Sequence, residues 1–232
     1  MDHAMEQGTG EPFGAQRGGP EDAGGQDVMG QASGVPGDVL SQAAPRRRSF
    51  ATTDPELVHD YAQRVFGPAV TVRAEDPEVR LRIEGIRTAS YGIAEVLLTG
   101  ASVTVEPHDV VSVARVLSGS IDWRRGRAVD RFGIGNVVAL GDLDVGHWSR
   151  WRDASAVVVT MTGELIQRVT IGDPEGGVRR VRFTGHRPFS AAAARQWLQT
   201  VSFVTDSIAH EEAATSLLVV GSAGRLLAAT AL

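Results

Sequence analysis

The residues best able to bind a metal are six histidines, at positions 3, 59, 108, 147, 186 and 210. A metal-binding β-barrel needs two histidines two positions apart on one strand, then a carboxylate and a more distant histidine. The sequence does not have this spacing. His108 is followed by Asp109 and an apolar run, and His147 lies alone in DVGHWSR. We therefore expect no metal and no cofactor.

Other catalytic patterns are also missing. Cysteine and lysine are absent, which excludes thiol nucleophiles and a lysine-containing phosphate loop. Gly133-x-Gly135 lacks the third glycine of a dinucleotide-binding fingerprint, and there is no GxSxG motif. The carboxylate pairs, such as Asp142 and Asp144 in LGDLDVG, are typical of solvated turns. We therefore predict no catalytic residues and no enzyme activity.

A few residues suit the binding of a small molecule: Arg115, Trp123, His147 and Trp148, with Trp151 close by. Arg115 interrupts the apolar run VVSVARVL, where a buried guanidinium would need an anionic or carbonyl partner. In the alternative interpretation, the tryptophans close the ends of a barrel and Arg115 points to solvent or pairs with an acidic neighbour.

The chain of 232 residues divides by composition into a tail and one ordered region. Residues 1–48 are rich in Gly, Pro, Gln, Ala and Asp, and are predicted to be disordered because they carry too little apolar surface to offset the entropy of ordering. A leading helix is predicted within 49–67, with Thr53 or Asp54 as its cap and Gly67-Pro68 as its end.

Residues 69–183 contain short alternating or β-branched runs with turn residues every eight to twelve positions. We interpret Ser118-Gly119-Ser120 and Arg125-Gly126-Arg127 as turns, and Phe132 to Asn136 as a corner. A helical segment is expected near TGELIQRVTIG, followed by a strand from Val178 to Phe183. The fold class predicted is mainly β with flanking helices (α+β), a cupin-like or jelly-roll barrel followed by an antiparallel helical pair.

The helical pair is predicted within residues 190–232, with Ser190 as its first cap. Its first helix has an apolar stripe, and the second, from Ala213, is apolar over most of its circumference. Such surfaces need a partner, which is their own barrel, a second copy or a further domain. We predict a homodimer formed by the second helix or by the stripe residues Trp197, Leu198, Val201 and Val204.

The formal net charge is −5 and the arginines are scattered along the chain, so we interpret them as solvated residues of turns and strand edges. Arg124, Arg125 and Arg127 belong to a predicted turn, for example. No apolar run reaches the roughly 20 residues of a membrane helix. The N-terminus has neither the basic start nor the apolar core of a secretory signal. A cytoplasmic protein without membrane contact is expected.

Three segments together resemble the N-terminal, effector-sensing region of AraC-type transcription regulators. They are SFATTDPELVHDYAQRVFGP, TVEPHDVVSVARVLSGSIDWRRGRAVDRFGIGNVVAL and HRPFSAAAARQWLQTVSFVTDSI. The resemblance covers residues 49–232 and rests on the F-x-T-x-D phrase, the LSG turn and the order of elements. It implies a barrel that binds a small effector or merely relays contacts, helices that dimerise and a partner domain that contacts promoter DNA.

The resemblance also has a departure. The family's two helix-turn-helix units would follow Leu232, and the final helices carry only Arg195 and Arg225 as basic residues, too few for recognition helices. We therefore expect an effector-sensing and dimerisation region that reaches DNA only through a C-terminal domain absent from this chain. The alternatives are a stand-alone cupin-like small-molecule-binding protein and a metal-dependent cupin enzyme.

Overall fold

Residues 45–141, 143–170, 183–209 and 216–232 are described by the computed structural model, and they all belong to one unit, Pro36–Leu232. The strands are β1 (Arg46–Thr52), β2 (Val70–Ala74), β3 (Arg80–Arg87), β4 (Tyr91–Thr99), β5 (Ala101–Val105), β6 (Val110–Arg125), β7 (Ala128–Gly133), β8 (Val137–Gly141) and β9 (His147–Thr162). The helices are α1 (Pro55–Phe66), α2 (Gly163–Thr170), α3 (Ala191–Ala209) and α4 (Leu217–Ala231). The predicted fold class, mainly β with a C-terminal helical pair, is confirmed.

The helix α1 forms where its capping residues predict it. The Asp54 carboxylate accepts a hydrogen bond from the Glu56 backbone N–H at 2.9 Å, and Pro55 occupies the first turn. The helix ends at Gly67, whose positive φ of 86° favours glycine. Burial of Val58, together with other residues of the same face, holds the helix against the barrel core.

Order begins earlier than the composition indicates. Arg46, Arg47 and Arg48, assigned to the tail from the sequence, lie in β1, which pairs antiparallel with β3. Phe50 stacks on Tyr61 of α1 with ring centroids 3.8 Å apart. Pairing with β3 and this aromatic contact offset the ordering entropy of the segment, and a composition count detects neither.

The sheet is antiparallel at every described strand pair, and it curls around one core. Its order is β1-β3-β4-β9-β5-β2, and β6 pairs with β7, β8 and β9. The two 16-residue strands β6 and β9 pair with each other over most of their length. Strand β9 also pairs with β5 through its first half and with β4 through its second half.

Both long strands change their inward-facing positions in the middle. In β9 the residues on the core side are Ser149 and Trp151 before the change, then Ala154 and Ala156 after it. Asp153 at the change has a positive φ of 45°. An extra residue in a strand shifts the alternation of side chains by one position. A bulge at Asp153 therefore keeps the same face of β9 towards the core along both halves.

Strand β6 has the matching irregularity. Its register with β9 shifts on both sides of Ser118, and Gly119 has a positive φ of 64°. Ser118-Gly119-Ser120 is thus a bulge inside one long strand, and the predicted turn there is wrong. A Cβ atom at Gly119 would overlap the backbone oxygens of Arg152 and Asp153, so the two bulges face each other. The predicted turn around Gly126 is confirmed.

The C-terminal helices cover one outer face of the sheet. Residues of α2, α3 and α4 form a second apolar cluster with outward-facing residues of β4, β6 and β9, such as Ile93, Val111 and Val159. The predicted cap is present, because the Ser190 hydroxyl accepts a hydrogen bond from the Ala193 backbone N–H at 3.1 Å. Of the predicted strand Val178–Phe183, all but Phe183 lies outside the described residues. No helix within the described ranges has the length and apolarity to cross a membrane.

Replacement of Gly119 by Ala should destabilise the protein by about 3–5 kcal/mol, because a methyl group there meets backbone atoms that cannot rotate away. The matched control is Gly126→Ala, a position with a φ of 58° and no atom within 4 Å of the added Cβ. That variant should lose only about 1–2 kcal/mol from its left-handed backbone. Urea denaturation measures both, and equal losses would show that the paired bulges carry no special constraint.

Candidate functional site

The barrel contains a cavity of about 160 Å³ that is open to solvent. Side chains from both halves of β9 and from β2 to β6 line it, and most of them are apolar, including Val72, Leu98, Val103 and Val158. Val72 and Val103 alternate with outward-facing polar residues along β2 and β5, whereas the outward neighbours of Val158 are the valines covered by the helices. A cavity of this size and polarity favours a small, largely apolar ligand.

His147 is a buried polar side chain at the cavity. It is 9% exposed, and its Nδ1 atom has no hydrogen-bond partner among the described residues. Burial, with repulsion from His108 and Arg125, lowers its pKa from 6.5 to about 4. The imidazole is therefore neutral at pH 7, and an unpaired buried nitrogen gains free energy from any ligand group that bonds to it.

Several hydroxyl groups belong to the same lining, including those of Ser112, Ser149 and Thr160. Ser149 accepts a hydrogen bond from Nε1 of Trp151 at 3.3 Å, which fixes the indole at the cavity wall. The hydroxyl groups and His147 make the interior apolar with isolated polar groups, and each of these groups is uncharged at neutral pH. This arrangement can orient a ligand through one or two hydrogen bonds.

Arg87 is the cation at one end of the cavity. Burial, followed by the nearby Arg48, lowers the pKa of its guanidinium, and it donates a hydrogen bond to the Val65 carbonyl oxygen at the end of α1. This bond ties β3 to α1 where the cavity lining ends. Arg87 was not among the ligand-binding residues predicted from the sequence.

Tyr91 lines the cavity and also contacts the C-terminal helices. It is 3% exposed, its hydroxyl has no partner within the described residues, and burial raises its pKa to about 12. A Cβ atom at Gly224 of α4 would lie 3.0 Å from the tyrosine ring, so the helix approaches this closely only because position 224 is glycine. Tyr91 therefore connects the cavity to α4.

Of the four residues predicted to bind a ligand, only His147 lines the cavity. Trp123 is fully buried in the wall, where its Nε1 donates to the Leu140 carbonyl oxygen at 3.1 Å. Trp148 faces outward beneath Arg124, whose guanidinium carbon lies 5.3 Å from the ring centroid. Neither tryptophan lines this cavity, because Trp123 fills the wall and Trp148 occupies the opposite face of the strand.

Arg115 also lies outside the cavity. Its neighbours Ala114 and Val116 face the core, so the alternation of β6 turns Arg115 outward, where it is exposed in the groove between the sheet and α3. The alternative interpretation of Arg115, a residue on the outer face of a strand, agrees with its position. Sequence reasoning missed Ser149 and Tyr91, although Ser149 follows His147 at the two-residue spacing of one strand face.

The residues predicted to form a dimer are part of the monomer core. Trp197, Val201 and Val204 are 4%, 9% and 0% exposed, and they pack with Leu198 in the cluster between the sheet and the helices. Their contacts in the structure are therefore within one chain. The apolar stripe of α3 packs against its own barrel. This was one of the partners that the sequence left open.

Metal-ligating side chains do not converge in the part of the chain that is described, where no three His, Asp or Glu residues are placed to hold an ion. The polar cluster that most resembles a metal site in this part of the chain is a network of ion pairs. His186 Nε2 and the Arg187 guanidinium both contact the Asp130 carboxylate at 2.9 Å. These contacts attach the segment before α3 to β7.

No family model and no curated protein matches the chain. Among solved structures, the chain is similar to the AraC-like transcriptional activator CuxR, with 18% identity and a TM-score of 0.57, covering 79% of this chain and 68% of CuxR. It is also similar to the Cnp3 cupin domain of Schizosaccharomyces pombe (18%, TM-score 0.32, 40% and 73% covered) and to EutQ of Clostridium difficile (9%, 0.32, 38% and 66%). The resemblance to AraC-type regulators is thus confirmed for the fold.

The buried neutral His147 makes stability depend on pH. Below pH 6.5 the unfolded chain binds a proton at this residue, whereas the folded protein binds it only near pH 4, so stability is lost as the pH falls through this window. We expect this residue alone to cost about 2 kcal/mol between pH 7 and pH 5. Denaturant unfolding of the wild type and His147→Leu at both pH values measures the difference. Equal pH dependence in the two proteins would contradict a neutral, buried imidazole.

Proposed function

We propose that the chain is the effector-binding domain of a transcription regulator and that it acts by binding and not by catalysis. The observation that carries the proposal is the apolar cavity lined by His147, whose Nδ1 is unpaired, inside a fold similar to an AraC-like activator. Nδ1 is covered by protein, so the proposal requires the His147 ring to turn towards the ligand. A buried polar atom without a partner costs free energy in the empty protein. Its retention beside a cavity is explained by a ligand that bonds to it.

The size of the cavity limits the ligand. A cavity of about 150 Å³ in another protein accepts benzene, so about 160 Å³ accommodates one six-membered ring with a small substituent. The ligand in this proposal is therefore a small molecule with an apolar body and one polar group. A neutral imidazole nitrogen donates or accepts a hydrogen bond according to its tautomer, which suits a hydroxyl, amine or carbonyl group.

Tyr91 provides a physical path for the signal. A ligand changes a conformational equilibrium only when it binds the two states with different affinity. Because the Tyr91 ring lies against Gly224, a ligand that moves this ring must also move α4 or be excluded. The helical pair is thus the element whose position would depend on cavity occupancy.

In this proposal the regulator works in the cytoplasm as a homodimer and reaches DNA through a separate domain. Because the α3 stripe is buried, we assign the dimer contact to the exposed leucines of α4. These include Leu217 and Leu218, which are 48% and 76% exposed. This agrees with the second of the two dimer surfaces expected from the sequence. Light scattering on the wild type and Leu218→Arg tests it, and a wild type that is monomeric at micromolar concentration would refute it.

Ligand binding is tested by a thermal shift screen of benzene-sized compounds with one polar group. We expect at least one to raise Tm and to change Trp151 fluorescence, because ligand binding stabilises the folded state. Val103→Phe should abolish the response by filling the cavity, whereas Val145→Phe, an exposed loop position, should keep it.

His147→Leu should weaken binding of a phenol about tenfold and leave toluene unaffected, since about one hydrogen bond is lost.

Two outcomes would overturn the proposal. A wild type that responds to no compound, or a Val103→Phe protein that binds as the wild type does, would remove the cavity as a ligand site. Stoichiometric transition metal in the purified protein would instead support a metal-dependent cupin enzyme.

A further inference from the structure

The outer face of the barrel collects arginines that are far apart in the sequence. The strand register places one outward-facing row across five neighbouring strands, in the order β2, β5, β9, β6 and β7. Its members are Arg73, Ser102, Arg150, Asp122 and Arg131. With neighbouring strands about 4.8 Å apart, this row extends over about 19 Å.

A second outward row lies two residues away on the same strands. Its members are Thr71, Thr104, Trp148, Arg124 and Val129. The residues between the two rows, such as Val72, Val103 and Trp123, face the core, so both rows face away from it. We call these ten positions, together with Arg152, the arginine face.

The arginine face is positive although the chain as a whole carries a net charge of −5. Its two rows contain four arginines and one carboxylate, Asp122. Two further charged residues contact members of these rows: Arg152 binds Asp122, and Glu75 binds Arg150 at 2.8 Å. These two charges cancel each other, so a surplus of about three positive charges remains. The register brings together arginines that are scattered along the sequence, and Arg124 lies in strand β6, where a turn was predicted.

The carboxylate on this face orients the arginines without using all their donors. Asp122 Oδ1 accepts from Arg131 Nε at 2.5 Å, and Oδ2 accepts from Arg152 Nε at 2.7 Å. The Arg131 hydrogen bond lowers the pKa of Asp122. A guanidinium has five N–H donors, so each of these arginines keeps donors for a further acceptor. Two guanidinium groups are therefore held in place for an anion with several oxygen atoms.

A flat stacking surface lies directly beside these cations. The exposed Arg124 guanidinium lies over the Trp148 ring, and Val129, 71% exposed, is its neighbour on β7. Unpaired bases stack on arginine and aromatic planes, and this stacking tolerates any base sequence. Phosphate-binding donors and a stacking surface within two adjacent rows are the two components of a single-strand binding site.

We propose that the arginine face binds single-stranded nucleic acid through its phosphates and stacked bases. The face is the convex outside of a barrel, which a flexible single strand can follow more closely than a stiff duplex. An acidic peptide would satisfy the cations but would leave the Arg124–Trp148 stack without a role. This site is on the opposite side of the strands from the cavity, so it is independent of the effector-binding proposal.

The test is fluorescence anisotropy of the full chain with a labelled 15-nucleotide single strand at 50 mM salt. Arg73→Gln/Arg131→Gln should weaken binding at least tenfold and reduce the slope of log K against log salt by about 1.4, because two phosphate contacts are lost. The control Arg195→Gln/Arg225→Gln, on the exposed surfaces of α3 and α4, should bind as the wild type does. Asp122→Asn should bind more tightly.

The stacking component has a test of its own. Trp148→Leu should weaken binding of the oligonucleotide about tenfold but should not change binding of an abasic strand with the same number of phosphates. Melting temperatures of all variants establish that they fold. The proposal is overturned by the absence of binding, by equal affinity of the double variant and the wild type, or by binding of a duplex or polyglutamate as tightly as the single strand.

Discussion

The contact between Gly119 and the Asp153 backbone is the constraint on which the barrel depends. The long strands β6 and β9 form the wall on which β4, β5, β7 and β8 assemble, and each would turn its apolar side outward halfway along if its alternation were unbroken. Facing bulges correct both strands at the same point. The left-handed backbone of Asp153 costs about 1 kcal/mol, which is small compared with burying two halves of a barrel core.

The same correction creates the two surfaces that bear function. On the inside, it brings His147 and Ser149 from the first half of β9 to the cavity that Val158 and Thr160 line from the second half. On the outside, it aligns the β6 and β9 positions that carry the arginine face. One geometric feature therefore sets the polarity of both faces, and the helices cover the outer face of the first half of β6 and of the second half of β9.

The sequence predicted the local parts of this structure well. Asp54 and Ser190 are strong capping residues, and alternation around Leu81 and Ile83 indicated strands, since both signals act within a few residues. The bulge at Gly119 was mistaken for a turn because glycine serves both. The sequence left the surroundings of Arg115 and Trp197 open, since inward or outward orientation depends on register with distant strands. The arginine face could not be predicted for the same reason, because its rows join residues as far apart in the sequence as Arg73 and Arg150.

The central position of β9 has a consequence for synthesis on the ribosome. Strands β4, β5 and β6 all pair with β9, yet its residues 147–162 emerge after every other described strand. Until then the nascent chain exposes unpaired strand edges rich in Val and Ile, which are prone to intermolecular pairing. Arg47 in β1 then donates a hydrogen bond to the Ala209 carbonyl oxygen at the end of α3, 162 residues away, so this contact between the two ends of the domain forms only after α3 is synthesised.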